Sequence, residues 1–192
     1  MVRTEKFEKV EITSKEELRN WLEAHHRQEE SVWLVTFKKT TPGKYVSRWD
    51  VLDELICFGW IDGVRRKLDT ERTMQLISPR KVQHWAQTYK DRAAKLISAN
   101  RMHESGLASI EISKSNGMWN FMDDVDNLVV PDDLAKALSQ LSQAEVFFNS
   151  LNDSTKRFVL RWVKLAKTEK TRVKRIQELV RLSAKGEKLK GS

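Results

Sequence analysis

Hydrophobic spacing changes once along this chain, near Lys81, and the change limits what the chain can build. Ahead of that point, short runs of β-branched and aromatic residues alternate with helical patterns; behind it every periodic segment has helical spacing. Strands confined to the first 80 or so residues predict an α+β fold. The expectation is a small antiparallel sheet of three to four strands with helices, followed by an all-helical C-terminal part. Alternation in "KFEKVEI" predicts a strand over Phe7 to Ile12, and "SVWLVTFKK", residues 31–39, predicts a buried one. Ser14 with Glu17 forms a capping box ahead of Leu18, Trp21 and Leu22. Ser47 opens a second helix, which Gly59 ends through a left-handed residue. "VRRKLD" and "RTMQLI" predict two strands joined by a turn at Asp69 to Glu71. Ser78 and Pro79 predict a helix start with Arg80 in its first turn, where the macrodipole disfavours a cation.

The predicted organisation is an α+β domain over 1–117, a linker over 118–131 and a basic helical region over 132–192. Helices are expected near Asp133 to Leu141, Ala144 to Leu151, Ser154 to Lys167 and Glu169 to Lys185. The net charge of +8 is concentrated there: residues 154–192 hold 13 Lys/Arg against three acids, whereas residues 1–153 hold 22 against 24. Such an end suits an acidic partner or nucleic acid, with Arg161, Lys164, Arg172 and Arg175 as the candidate contacts, although a charge run is more commonly a solvated face. A single cysteine, Cys57, excludes an intrachain disulfide, and no Cys/His spacing suits zinc, so neither metal nor cofactor is expected. The N-terminal segment lacks the apolar core of a signal peptide and no run reaches membrane-span length, so a cytoplasmic protein without membrane insertion is expected.

The least generic stretch is "CFGWIDGVRRKLDTER", residues 57–72. If the strand after Gly63 alternates, Arg66 shares a face with Val64 and Leu68, and Arg72 shares one with Met74 and Leu76. A guanidinium so placed needs an acid or a bound anion, because burying it alone costs several kcal/mol. Asp62, Asp69 and Glu71 are the chain's own candidates; a small anion or an acidic peptide is the alternative. The candidate ligand-binding set is Trp60, Asp62, Arg66, Arg72, Arg80 and Trp85. Cys57 reads as packing and His84 as a minor candidate, and no catalytic constellation or glycine-rich phosphate loop stands out.

With "SPRK", Trp85, "RMHESGLASIE", "NGMW" and "AKTEKTRVKRI" following in order, these motifs resemble the bacteriocin-protection, YdeI/OmpD-associated family along nearly the whole chain. The resemblance implies a bacterial, largely uncharacterised protein of stress-protective type, without a defined reaction. The family pattern Ser-x-Trp-Ser-x-x-Asn is replaced here by Gln83, Trp85, Ala86 and Tyr89, so two hydroxyls and an amide are lost. Trp60, Asp62, Arg66, Arg72 and Arg80 are retained.

Overall fold

The computed structural model describes residues 6–191 and divides into two compact units, Met1–Asn120 and Phe121–Ser192. The first is α+β and the second is all helical among the described residues.

In the N-terminal unit the strands are β1 (Lys9–Glu11), β2 (Val32–Phe37), β3 (Trp60–Lys67) and β4 (Arg72–Pro79), in the order β1-β2-β4-β3. Pairing of β2 with β4 and of β3 with β4 is antiparallel, as expected, but β1 lies parallel to β2. Among the described residues four α-helices belong to this unit: α1 (Lys15–His25), α2 (Arg48–Cys57), α3 (Gln87–Ser98) and α4 (Glu104–Ser115). The Ser14 hydroxyl accepts from the Glu17 amide and the Ser47 hydroxyl from the Asp50 amide, so both predicted caps form. Gly59 has φ 74°, the left-handed conformation its place after α2 requires.

Register explains which side of the sheet faces the helices. Val32, Leu34 and Ile77 point to one side, where they pack with Leu18, Leu22, Leu55 and Ile56 in a core closed by Ala93, Leu96 and Ile110. Within that core Glu54 is fully buried. It accepts from Arg19 at 2.9 Å and from Arg101, lies 3.7 Å from Lys15, and so ties α1, α2 and the segment after α3 together. Cys57 is buried next to it, and burial pushes its thiol pKa up, which suits packing better than nucleophilic chemistry.

Two expectations fail in this unit. No helix starts at Ser78-Pro79; β4 runs through Pro79, opposite Trp60, and the Arg80 amide donates to the Gly59 carbonyl at 2.8 Å. Pairing at the end of β3 therefore outweighs the local helix-start signal, and α3 begins only at Gln87. β3 also starts earlier than expected, at Trp60, so that Asp62 and Gly63 lie inside it.

The C-terminal unit comprises α5 (Asp123–Asp126), α6 (Asp132–Ser139), α7 (Ser142–Ser150), α8 (Asp153–Lys164) and α9 (Glu169–Ala184). Leu134, Leu138, Phe148, Val159, Val163, Ile176 and Leu179 form its core. The stretch expected to link the units contributes to both: Trp119 packs on the first core, and Met122 and Val125 are buried in the second. Among the described residues no helix is long and apolar enough to cross a membrane.

Candidate functional site

Strand β3 carries a bulge that re-aims the arginines of the central motif. Asp62 pairs with Ile77 and Arg65 with Gln75, so three steps along β3 match two along β4. One extra residue inverts the alternation. Arg65, not Arg66, then joins Asp62 on the helix-facing side, and Arg66 turns to the other face, where its guanidinium lies 5.2 Å from the centre of the Trp33 ring.

On the helix-facing side a polar line crosses the sheet. The Tyr89 hydroxyl donates to Asp62 Oδ1 at 2.5 Å, Gln75 Nε2 donates to Asp62 Oδ2 at 3.1 Å, and Arg65 Nη2 donates to Gln75 Oε1 at 2.6 Å.

Most of the candidate set is engaged within the fold. Arg72 pairs with Glu11 and, at 2.7 Å, with Asp69; Asp69 also accepts the Glu71 and Arg72 amides in the hairpin turn. Hydrogen bonds from Arg72 hold the Asp69 carboxyl below its usual range. Trp60 and Trp85 are each 1% exposed and belong to the core rather than to an accessible wall. Arg80 is engaged as well, save for one atom. Its Nη1 donates to the Gln83 and His84 carbonyls at 3.2 and 3.3 Å, its guanidinium stacks 4.0 Å from the centre of the Trp85 ring, and its buried Nε has no partner. Burial pushes its pKa down to about 10, against the opposing pull of Tyr89 and Asp62. Arg80 thus closes the loop leading to α3 instead of opening a helix.

The polar line ends at a cleft of about 520 Å³, bounded by the ends of β2 and β4, by Arg65, and by the segment leading into α2. Lys38, Lys39, Arg48 and Arg65 line it, together with Phe37, Tyr45 and Trp49, and no carboxylate does. Lys38 is fixed by its ammonium donating to the Asp69 and Thr70 carbonyls at 2.9 and 2.7 Å, and Arg65 is fixed by Gln75. Among the described residues Lys39 and Arg48 have only ring contacts, Lys39 at 5.9 Å from Tyr45 and Arg48 at 4.1 Å from Trp49. None of the four cations has an ion-pair partner among the described residues. The neighbouring acids are taken: Asp53 pairs with Arg92 at 2.7 Å, and Asp50 accepts from Ser47 Oγ at 2.5 Å.

Sequence reasoning about the central motif missed this cleft, yet a signal was present. The stretch from Phe37 to Trp49 holds Lys38, Lys39, Lys44 and Arg48, the three aromatics Phe37, Tyr45 and Trp49, and no acid. Among the described residues no group of His, Cys, Asp or Glu could hold a metal ion.

In the C-terminal unit the basic candidates are largely engaged. Lys164 pairs with Asp124 at 2.5 Å, and Arg172 grips Asp133 through two bonds of 2.6 and 2.8 Å. Arg175 donates to the Trp162 carbonyl and stacks on its ring, while Arg161 keeps a buried Nε without a partner.

Comparison with known families divides the chain in the same way. Residues 10–109, just over half of it, match a domain of unknown function, DUF8412, and residues 127–186 match the family described as bacteriocin-protection, YdeI or OmpD-associated. The resemblance read along nearly the whole sequence is thus carried by the C-terminal segment, while the "GWIDG" and "SPR" motifs fall within the first match. No curated protein and no solved structure matches the chain. The chain belongs to the family defined by that domain of unknown function, and within its C-terminal unit residues 127–186 are similar to the bacteriocin-protection, YdeI or OmpD-associated family.

Proposed function

We propose that this is a binding protein for a small anionic ligand, held in the cleft beside the start of α2. The observation that carries the reading is the charge of that cleft, with four cations lining it, no carboxylate among the lining residues, and no ion pair to any of the four among the described residues. Two unit charges 8–10 Å apart repel by roughly 0.5 kcal/mol in water. An anion placed among them leaves those repulsions in place but adds an attraction to each cation, about 1 kcal/mol at ~4 Å in water, that outweighs them. Lys38 and Arg65 are already oriented, so little ordering opposes binding on that side. A cleft of this volume suits a small molecule better than an acidic peptide. Nucleic-acid association through Arg161, Lys164, Arg172 and Arg175 is the weaker reading, because Lys164 and Arg172 pair with Asp124 and Asp133 and Arg175 is held on Trp162.

Thermal melting of the full chain with inorganic tripolyphosphate tests the proposal. A ligand present at about 100 times its Kd stabilises by about 2.7 kcal/mol, enough to raise the melting temperature by several degrees. The rise should shrink at about 0.5 M salt, where screening shortens to a few ångströms. Replacing both Lys39→Gln and Arg48→Gln, which removes only ring contacts, should abolish most of it. No rise in the parent chain, or an undiminished rise in the double variant, overturns the reading.

A further inference from the structure

Charge alone does not account for the composition of the cleft. An inorganic phosphate would fill a small part of about 520 Å³, and it would leave the Tyr45 and Trp49 rings without a role. The lining divides by chemistry. From the sheet come Thr36, Thr73, Lys38 and Arg65, two hydroxyls and two oriented cations. From the segment entering α2 and from its first turn come Tyr45 and Trp49, each with a long cation resting on its ring; Trp49 also has Arg92, fixed by Asp53, 4.7 Å from its ring centre.

Among the described residues Lys39 and Arg48 have no acid to hold them, so they can swing from the rings towards a ligand's charge and uncover ring surface on Tyr45 and Trp49. Trp49 is 42% exposed and Tyr45 half-buried, so neither ring is fully committed to the core. Four cations also exceed what one carboxylate needs and suit a group with two or more negative charges. A ligand matching both walls carries a polyanionic phosphate at one end and a planar ring at the other.

Resting on the anion-binding reading, we propose that the cleft takes a nucleoside phosphate, its phosphates against Lys38 and Arg65 and its base against Tyr45 or Trp49. Base–aromatic stacking is largely indifferent to base identity, so the site should favour the class over any single base.

Calorimetric titration of the full chain with ADP, inorganic pyrophosphate and adenosine separates the two proposals. The expected result is ADP binding about tenfold or more tighter than pyrophosphate, with adenosine weakest. Tyr45→Ala and Trp49→Leu, tested separately and checked for folding by their melting curves, should between them bring ADP down to the pyrophosphate level and leave pyrophosphate binding unchanged. Pyrophosphate binding as tightly as ADP in the parent chain overturns the nucleoside assignment and leaves the anion site standing; this comparison needs no variant. An ADP preference that survives both ring substitutions also overturns it. If none of the three binds, both proposals fall together.

Discussion

Replacing Glu54 with glutamine should weaken the N-terminal unit more than any other change of a single polar atom. Its side chain is 0% exposed, while its partners Arg19, Arg101 and Lys15 are 37%, 33% and 30% exposed. Glu54→Gln keeps the shape but removes the charge that faces three cations. Two charge-assisted hydrogen bonds, each with a net value of about 1.5–3 kcal/mol, give an upper bound near 6 kcal/mol. The guanidiniums reach water and recover part of their hydration, so about 2–4 kcal/mol is the expected loss. With a urea slope of about 1–3 kcal/mol/M the midpoint should fall by roughly 1–2 M. Urea is the right denaturant because guanidinium chloride would screen the cluster. Six of the seven tryptophans lie in the N-terminal unit, so intrinsic fluorescence follows its unfolding. A midpoint that moves by less than about 0.3 M shows that desolvation of Glu54 cancels its pairing, and the cluster then does not hold α1 and α2 together.

Other substitutions test separate parts of the structure. A Cβ at Gly106 would meet the Cys57 carbonyl oxygen at 2.1 Å, so Gly106→Ala should destabilise by at least the ~1–3 kcal/mol typical of overpacking, whereas Gly43→Ala, with nothing within 4 Å, should leave the urea midpoint unchanged. Burial lowers the Arg80 pKa to about 10, well below the usual guanidinium range, so its charge opposes folding below that pH and the opposition lifts as pH rises above about 10. The stability of the parent relative to Arg80→Met should accordingly climb above about pH 10, and a difference flat from pH 8 to 11 contradicts the burial argument. Arg172 holds the Asp133 carboxyl below its usual range, so that pair stabilises above the ordinary carboxylate pKa and is lost as pH falls through the depressed value. Being partly exposed and open to solvent screening, it contributes at most about 1 kcal/mol, which Asp133→Asn should remove at neutral pH and leave unaltered in strong acid.

Caps and turns were legible because they are local. Ser14, Ser47, Gly59 and the Asp69 turn each follow from residues within a few positions, and each forms. Ser78-Pro79 was equally local in its signal, yet the partner that decided it, Trp60, lies far back in the sequence. The bulge also escaped the sequence: strict alternation is the default in a strand, and the extra residue shows only against β4. The cleft was missed for a further reason. Its walls come from residues 36–39, 45–49, 65 and 73, so no single periodic segment contains them.

Gln75 has a consequence that reaches beyond its two hydrogen bonds. An amide presents donor and acceptor on one rigid plane, so Gln75 can satisfy an acid on one side and a base on the other while remaining neutral itself. It acts as an insulating spacer. Asp62 and Arg65, which the bulge sets on the same side of the sheet, are each satisfied without contacting each other and without neutralising each other. A glutamate there would attract Arg65 and repel Asp62; a leucine would leave the pair free to collapse together. Either change would draw positive charge away from the cleft without touching a residue that lines it.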